Sequence, residues 1–325
     1  MSKTTKIFLI IAGVLVVAGI AVFLVVMSIN GWNFKKLSTV EYETNSYVIE
    51  EDFNKVIITT IEADIEILPS DDGKCKVVCY EEEKVKHEVK VESNTLVVDA
   101  KNSRKWYDYI RFFSFSPPKI TVYMPADKLT SLYINGSTGD VDISSDFAFE
   151  NIGISASTGN VNCYASAKDE IRIELNTGGI DITGITANKL NLSTSTGKIK
   201  VKMVTCSGDI SVKVTTGDAI VMATDCKNLY STGNTGDIKV VGVEAREKFN
   251  IERSTGDVEF ENSDANEIYV KTSTGDIEGT LLSNKIFITQ TSTGDVDVPR
   301  STSGGKCELT TSTGDIEIEI EGKLR

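Results

Sequence analysis

The chain has 325 residues, a formal net charge of −13 and a single histidine. An acidic protein is repelled by nucleic acid and by anionic lipid headgroups, so no nucleic-acid partner is expected. One histidine excludes histidine-rich metal sites and most Ser-His-Asp or Cys-His nucleophile schemes. Because that residue, His87, stands in a run of charged residues, we expect a solvent-exposed strand residue without a chemical role.

The first element in the chain is an apolar segment, residues 7–29, that contains no charged side chain. Its length in a helix is about 35 Å, which is enough to cross the hydrocarbon core of a membrane. No A-x-A-like site follows it, so we predict an uncleaved anchor in the lipid bilayer rather than a signal peptide. Trp32 and Phe34 lie where interfacial aromatic residues are found.

The charges that flank this segment are nearly balanced, with Lys3 and Lys6 before it and Lys35 and Lys36 after it. A short basic tail normally stays inside, and long domains that follow an anchor translocate despite modest charge. We therefore predict a single-pass protein of the cell membrane. The tail, residues 1–6, is cytoplasmic in this prediction and the large domain is extracytoplasmic.

Between the anchor and the repeats we predict a linker, residues 30–45, and an N-terminal β region, residues 46–131. Residues 56–67 match the repeat pattern described below if Ala63 replaces its glycine. Residues 75–125 combine strand-like segments with an aromatic insertion, which we interpret as a cap over the first turn. Clustered exposed aromatic residues also mark membrane or partner contacts, so that alternative stays open. The insertion contains Trp106, Tyr107, Tyr109, Phe112, Phe113 and Phe115.

The last region, residues 132–325, repeats one pattern ten times at intervals of 19 or 20 residues. Each copy is marked by a Thr-Gly pair. Apolar residues lie seven and five positions before the glycine and two and four positions after it, with Ser231, Thr289 and Gly279 among the exceptions. The marker glycines are Gly139, Gly159, Gly178, Gly197, Gly217, Gly236, Gly256, Gly275, Gly294 and Gly314.

Alternation with period two on both sides of a glycine turn predicts two short strands in each copy. One copy cannot bury its apolar face, whereas stacked copies bury a continuous core. We therefore predict an all-β fold: a single-stranded β-solenoid (β-helix) of about ten 19–20-residue rungs, each stacked on the next, preceded by one transmembrane helix. Ten rungs at strand spacing make a rod about 50 Å long. An antiparallel sandwich would seldom keep so constant an interval.

The stretch ITVYMPADKLTSLYINGSTGDVDI, with the S-T-G-D and S-T-G-N copies that follow it, resembles a known family. This is a bacterial putative-adhesin family of unknown function, whose members carry a β-helical domain of such repeats. A short anchor ahead of that domain also resembles members linked to cell-envelope stress systems. The resemblance covers residues 40–325 and implies no substrate and no catalytic residue.

The residue after the marker glycine is usually aspartate, which makes a column of carboxylates in the predicted stack. Carboxylates about 5 Å apart repel each other, and Ca²⁺ would relieve that repulsion through oxygen ligands. Aspartate also supports turns through its own hydrogen bonds, without any metal. Lys198, Asn160 and Gly179 share the position, so the fold does not require a carboxylate. The candidate cation column is Asp218, Asp237, Asp257, Asp276, Asp295 and Asp315, and no other cofactor is predicted.

Six cysteines look like a disulfide set. Cys206 and Cys226 would lie in adjacent rungs, within the Cα separation that a disulfide allows. Free cysteine also packs well as a small apolar residue, so both states are open. Cys75 and Cys79 are too far apart on one strand to pair with each other, and without a histidine nearby they are not expected to bind zinc.

Three functions from different classes are compatible with these features. Uniform rungs without long inserted loops favour a non-enzymatic, membrane-anchored extracytoplasmic solenoid, adhesin-like or associated with envelope stress, that contacts wall polymer or an envelope protein. The second is a cytoplasmic, membrane-tethered scaffold that forms homo-oligomers through end-to-end or edge pairing. The third is a polysaccharide-cleaving β-helix enzyme that uses paired carboxylates and calcium.

Overall fold

A computed structural model of the chain describes residues 2–32, 41–105, 117–126 and 131–321. Phe34, Lys35, Lys36 and the aromatic insertion therefore lie outside the described residues. Helix α1 spans Lys3–Ile29, and the Ser2 hydroxyl caps it by accepting a hydrogen bond from the backbone N–H of Thr5. This helix is long and apolar enough to cross a membrane, and its most apolar window is not buried against the rest of the chain.

Seven strands lie in the described residues before the repeats. They are β1 (Tyr42–Ile49), β2 (Lys55–Glu62), β3 (Asp64–Pro69), β4 (Cys75–Glu82), β5 (Val85–Glu92), β6 (Thr95–Asn102) and β7 (Lys119–Met124). Strands β2 and β3 form the first turn of the solenoid and pair in parallel with β6 and β7 on its outer side. Antiparallel pairs β1–β4, β4–β7 and β5–β6 extend this layer. The parallel stack therefore changes to antiparallel pairing at its N-terminal end.

The repeats supply the remaining strands: β8 (Ser131–Thr138), β9 (Val141–Ile143), β10 (Ala148–Phe149), β11 (Ile152–Thr158), β12 (Val161–Cys163), β13 (Ser166–Ala167), β14 (Glu170–Thr177), β15 (Ile180–Thr183), β16 (Thr186–Ala187), β17 (Lys189–Thr196), β18 (Ile199–Lys202), β19 (Thr205–Cys206), β20 (Asp209–Thr216), β21 (Ala219–Thr235), β22 (Ile238–Thr255), β23 (Val258–Lys271), β24 (Ile277–Leu281), β25 (Lys285–Gln290), β26 (Val296–Asp297), β27 (Gly305–Thr310) and β28 (Ile316–Ile320). Equivalent strands of neighbouring turns pair in parallel, as Ile152 does with Leu132 and Ile171.

The apolar positions of the repeat form one continuous core, which confirms the predicted β-solenoid. The residue seven positions before the marker glycine is at most 1% exposed in nine copies, and Phe287 is the exception. The alternation in the sequence thus reports which side chains face inward, because successive side chains on a strand point to opposite faces.

The marker glycines are required by close stacking of the turns. Gly159 has a φ of 138°, and a Cβ built on it would lie 2.0 Å from the carbonyl oxygen of Gly139. Any other residue would be both strained and in collision at this position. Ala63 occupies the equivalent place in the first turn, where its N–H donates to the carbonyl of Thr138 and its φ is not positive.

The turns do not stack in sequence order at the C-terminal end. Cys307 of the tenth copy pairs with Ile268 of the eighth copy on one side and with Phe287 of the ninth copy on the other. In the same way β28 lies between β24 and β26. The prediction that each copy stacks on the next is therefore wrong here, because the tenth copy is inserted between the eighth and the ninth.

The strand lengths of the last two copies explain this order. Strand β28 has five residues and alternates isoleucine with glutamate, whereas β26 has two residues and Pro299 lies two positions after its end. Every copy presents the same register of backbone groups, so several orders of stacking are compatible with the hydrogen bonds. The inward-facing residues of the tenth copy are all apolar and are buried by this order, whereas Thr289 interrupts the inward face of the ninth copy.

Candidate functional site

The aspartate column forms a ladder of hydrogen bonds along the solenoid. Asp237 illustrates one step: its Oδ1 accepts the backbone N–H of Asp257 at 2.8 Å. The first part of the ladder runs from Asp64 through Asp140 and Asn160 to Gly179. The second part runs, in order of stacking, through Asp218, Asp237, Asp257, Asp276, Asp315 and Asp295. One side-chain oxygen at each step, a carboxylate oxygen except at Asn160, thus supports the next turn, as expected for turn-supporting aspartate. Binding of Ca²⁺ stays a prediction.

An acidic groove beside this ladder was not predicted. It has a volume of about 260 Å³ and is lined by glutamates of three stacked turns: Glu259, Glu261, Glu278, Glu317 and Glu319. Burial raises the pKa of Glu278, and the negative charges of its acidic neighbours raise it further. Lys239 offsets part of this charge through contacts of 2.6 and 3.4 Å with two of the glutamates.

The signal for this groove was present in the sequence, because Glu recurs three positions after the glycine in the seventh, eighth and tenth copies. Only the inserted tenth copy places Glu317 beside Glu278. Chemically, such a groove suits a hard cation, since Ca²⁺ prefers carboxylate oxygens. Acidic clusters are common on protein surfaces, however, and hydrogen bonds or contacts with lysine can compensate their negative charge as well as a bound cation can.

A buried polar cluster lies at the N-terminal end, and it overturns the prediction for His87. The residue is 3% exposed, and its Nδ1 lies 2.7 Å from Oε2 of Glu81, which is fully buried. The backbone N–H of His87 donates to the same oxygen, while Asn45 donates to Oε1 and Thr60 contacts Nε2. The charged run misled because its residues alternate: Lys86 and Glu88 face outward, so His87 faces the core.

Cys79 completes this cluster. Its Sγ, a carboxylate oxygen of Glu81 and a ring nitrogen of His87 all lie within 4.8 Å of one another, so these three residues could hold a metal ion. The statement that no histidine lies near Cys79 is therefore wrong, since β5 pairs with β4 and the His87 side chain reaches Thr60 of β2. Thiolate, imidazole and carboxylate are all zinc ligands.

The protonation chemistry of the cluster favours a hydrogen-bonded network. Burial raises the pKa of the Cys79 thiol to about 12, and the charge on Glu81 adds to this. Burial alone would also raise the pKa of Glu81, but hydrogen bonds from the His87 ring, Asn45 and the His87 backbone outweigh it and lower that pKa. The carboxylate is thus held ionised in the core by three donors, and the neighbouring thiol stays neutral.

A second buried charge lies inside the solenoid and explains one irregularity of the repeat. Arg253 faces the core, where its Nη2 donates to the Ser231 hydroxyl at 2.9 Å and its Nη1 to the carbonyl of Glu252 at 3.2 Å. A Cβ at Gly233 would lie 2.7 Å from Nη1. Ser231 and Gly233 therefore accommodate the guanidinium, and burial lowers its pKa to about 10.

All six cysteines are free thiols in the structure, and each is at most 6% exposed. Thr205 pairs with Asp225, so the following residues Cys206 and Cys226 occupy equivalent places in adjacent turns, as expected from the sequence. The disulfide between them that the spacing allowed is not formed. Both act as core residues, and the Cys206 thiol donates to the carbonyl of Asn188.

Parallel strands in register, a glycine corner in every turn and a continuous core place the chain among the β-solenoid proteins. A model of the Toastrack DUF4097 family matches residues 53–224 and 203–325, so the chain belongs to this family. None of the curated proteins matches the chain.

Several solved structures are similar to the chain. A putative lipid binding protein from Parabacteroides distasonis ATCC 8503 shares 21% identity over 74% of this chain and 98% of its own, with a TM-score of 0.50. A putative adhesin from Bacteroides fragilis NCTC 9343 shares 19% identity over 86% of this chain and 97% of its own, with a TM-score of 0.42. A putative adhesin from Parabacteroides distasonis ATCC 8503 shares 12% identity over 84% and 98%, with a TM-score of 0.47. At these identities only the first likeness bears on the argument, and it shows the fold alone.

Proposed function

We propose that this chain is a non-enzymatic, adhesin-like rod of the cell envelope, anchored in the membrane by α1 with its solenoid outside the cytoplasm. The observation that carries the proposal is the combination of an apolar helix whose most apolar window is not buried with a long, regular stack of turns. A helix of this kind serves as an anchor, and a rod serves to hold a surface away from the membrane.

The surface of the rod suits weak, repeated contacts with a polymer. Hydroxyl and amide side chains occupy the two positions before the marker glycine in all ten copies, as Ser157 and Thr158 do, and both of these are exposed. Parallel stacking repeats such groups about every 4.8 Å. Once one group binds a polyhydroxyl wall polymer, its neighbours meet the same polymer at a high effective concentration. Many weak hydrogen bonds therefore strengthen the binding together. Wall polymer or an envelope protein is therefore the proposed partner.

Topology tests the location. The native cysteines are buried, so one cysteine is introduced on the outer face of β11 by Ser155→Cys and one before the membrane by Thr4→Cys. A membrane-impermeant maleimide should label the first in intact cells and the second only after permeabilisation. The reverse pattern would reject the extracytoplasmic location and favour the tethered scaffold.

The non-enzymatic part needs a separate test. The purified full chain in detergent should co-sediment with isolated wall polymer, and incubation with that polymer and Ca²⁺ should release no soluble sugar. Release of sugar that is lost when Glu278 is changed to glutamine would instead establish the polysaccharide-cleaving alternative.

A further inference from the structure

A groove crosses four stacked turns on one side of the solenoid. It has a volume of about 360 Å³, and its lining residues all lie two to four positions before a marker glycine. Gly233 makes room for the groove, because the same inward position carries a side chain in both neighbouring turns. Three cations and one carboxylate line it, so the groove is locally positive in a chain of formal net charge −13. The charged lining residues are Lys213, Glu252, Arg253 and Lys271.

Arg253 lies at the bottom of this groove, since it belongs to the lining although only 5% of the residue is exposed. A guanidinium has five N–H donors. The hydrogen bonds to the Ser231 hydroxyl and to the carbonyl of Glu252 use two of them. The Nε atom is buried without a hydrogen-bond partner. The described residues therefore leave three of the five donors of this buried cation unused.

The same side chain lacks a counter-charge. Two other cations with buried side chains in the described part of the chain each pair with a carboxylate: Arg104 with Glu82 and Lys285 with Asp264. Arg253 forms no such pair with a described residue, and the acidic side chain whose charge acts on it is that of Asp237. A water molecule would accept a hydrogen bond from Nε, whereas an anion would also compensate the buried charge.

The rest of the groove supplies further groups that suit an anion. Lys213 and Lys271 are exposed and form no ion pair with the described residues. Phosphate oxygens accept charge-assisted hydrogen bonds from both guanidinium and ammonium groups. The remaining polar side chains of the lining can hydrogen-bond the hydroxyl groups of a polyol. They are Thr215, Thr232, Asn234, Ser254 and Ser273.

We propose that this groove binds a phosphate group carried on a polyhydroxyl chain. The phosphate contacts Arg253 at the bottom of the groove and Lys213 and Lys271 at its rim. The adjoining polyol unit contacts the hydroxyl and amide side chains. The volume of about 360 Å³ lies within the range of small-molecule sites, so the groove can hold a phosphate together with such a unit.

This site deepens the proposed function, on which the source of the ligand rests, by naming phosphate-linked polyol units as the part of a wall polymer that the rod binds. Lipid headgroups offer the same phosphate chemistry. The net negative charge of the chain opposes its approach to an anionic bilayer, however, so we expect the polymer to be the source.

Calorimetric titration of the full chain in a non-ionic detergent tests the site, with glycerol 3-phosphate as the probe. Arg253→Thr is the main variant, because the equivalent position carries a buried threonine in other turns, as at Thr194 and Thr272. This substitution should weaken binding about tenfold or more, since hydrogen bonds to a charged group are lost. Acetate at the same ionic strength should bind more weakly than glycerol 3-phosphate. Unchanged affinity in Arg253→Thr, equal binding of acetate, or no binding by the unmodified chain overturns the proposal.

A second variant leaves the interior of the solenoid unchanged. Lys213→Gln combined with Lys271→Gln removes the two charges at the rim, and both side chains are exposed, so the fold should not change. Affinity for glycerol 3-phosphate should fall about threefold or more. Lys168→Gln combined with Lys189→Gln is the matched control, because these lysines are also exposed but lie in other turns. An equal loss in the control would indicate attraction by overall charge and reject the groove as the site.

Competition distinguishes the sources of the phosphate. Poly(glycerol phosphate) should displace glycerol 3-phosphate from the unmodified chain, whereas phosphatidylglycerol mixed into the detergent micelles should not. Displacement by the lipid alone would reject the wall polymer in favour of a headgroup. Displacement by neither would leave a free phosphate ester as the ligand and reject the polymer.

The two proposals fail in different ways. Labelling of Ser155→Cys only after permeabilisation, together with normal binding of glycerol 3-phosphate, would reject the envelope location and keep the phosphate site. Surface labelling without phosphate binding would keep the envelope rod and reject the site.

Discussion

The two ends of the solenoid are protected against aggregation in different ways. A parallel stack exposes backbone groups and core side chains at each end, and both invite aggregation. At the N-terminal end, antiparallel strands outside the repeat cover the first turn and bury a network of polar side chains. At the C-terminal end the repeat itself is rearranged, so that the tenth copy is covered and the ninth is exposed. Protection by extra strands thus contrasts with protection by reordering.

The two ends of the solenoid also differ in how completely their buried charged residues are shielded from solvent. The N-terminal end holds Glu81 with His87 and, nearby, the side chain of Arg104, which is 1% exposed and pairs with Glu82. The C-terminal end holds Lys285, which is 2% exposed and lies 2.6 Å from a carboxylate oxygen of Asp264. The Glu81 site is sealed on all sides, whereas Asp264 keeps some contact with solvent. We therefore expect polar substitutions to cost more at the N-terminal end.

Glu81→Ala should give the largest effect. It leaves the buried donors of His87 without their acceptor, which costs about 3–5 kcal/mol for a broken buried pair. Hydrogen exchange of the full chain in detergent should show loss of protection in β1, β4 and β5, with β17 to β23 unchanged. Glu174→Ala, at a half-exposed carboxylate in the repeats, is the control. Equal loss of protection along the whole rod would contradict local stabilisation of this end.

Gly159→Ala should have the second largest effect and lower the free energy of unfolding by about 2–4 kcal/mol. The reason is that backbone strain at positive φ adds to the collision of the new Cβ with the previous turn. Ala63→Gly, at the same place in the first turn, should cost no more than about 1 kcal/mol of backbone entropy. Denaturant unfolding followed by exchange at each turn measures both. If the two substitutions were equally costly, stacking would not be the reason for glycine.

Lys285→Met should cost less, about 1–3 kcal/mol, since it leaves the carboxylate of Asp264 without its buried cation. Exchange should increase in β25 and in the neighbouring part of β23, without change at β4 or β5. Lys306→Met, which removes a surface pair with Glu308, should have little effect. A larger loss from Lys285→Met than from Glu81→Ala would reverse the ranking of the two ends.

Lowering the pH should give the smallest effect. It should change local stability in opposite directions at the N-terminal cluster around Glu81 and at the acidic groove around Glu278. The pKa of Glu81 is lowered in the folded chain, so its stabilisation is present above its ordinary value of 4.5 and is lost as pH falls through the folded pKa. The pKa of Glu278 is raised, so the acidic groove is relieved of repulsion as pH falls through that pKa toward 4.5. Hydrogen exchange measured from pH 7 to about pH 2 and corrected for its intrinsic pH dependence should show increased protection at the groove as pH falls toward 4.5. It should show loss of protection at the N-terminal end as pH falls below 4.5. The same sign at both would contradict the assignment.

Much of the fold could be predicted from the sequence because every copy of the repeat has the same spacing of apolar residues and glycine. The inward positions, the glycine corners and the place of Ala63 all follow from short-range periodicity. The aspartate column was also predicted, and its support of the next turn needs only the stacking of like positions. The acidic groove and the buried cluster could not be derived in this way, because their members come from different copies or different strands.

The sequence by itself therefore determined the class of fold, the residues that form the core and the presence of an N-terminal apolar helix, since each depends on spacing along the chain. Tertiary structure alone decided the order of the last turns, because near-identical copies can pair in more than one order and only total burial distinguishes them. It also decided the burial of His87 beside Glu81 and the interior place of Arg253 beside Ser231. Those contacts join residues whose partners lie on other strands, and no local pattern encodes them.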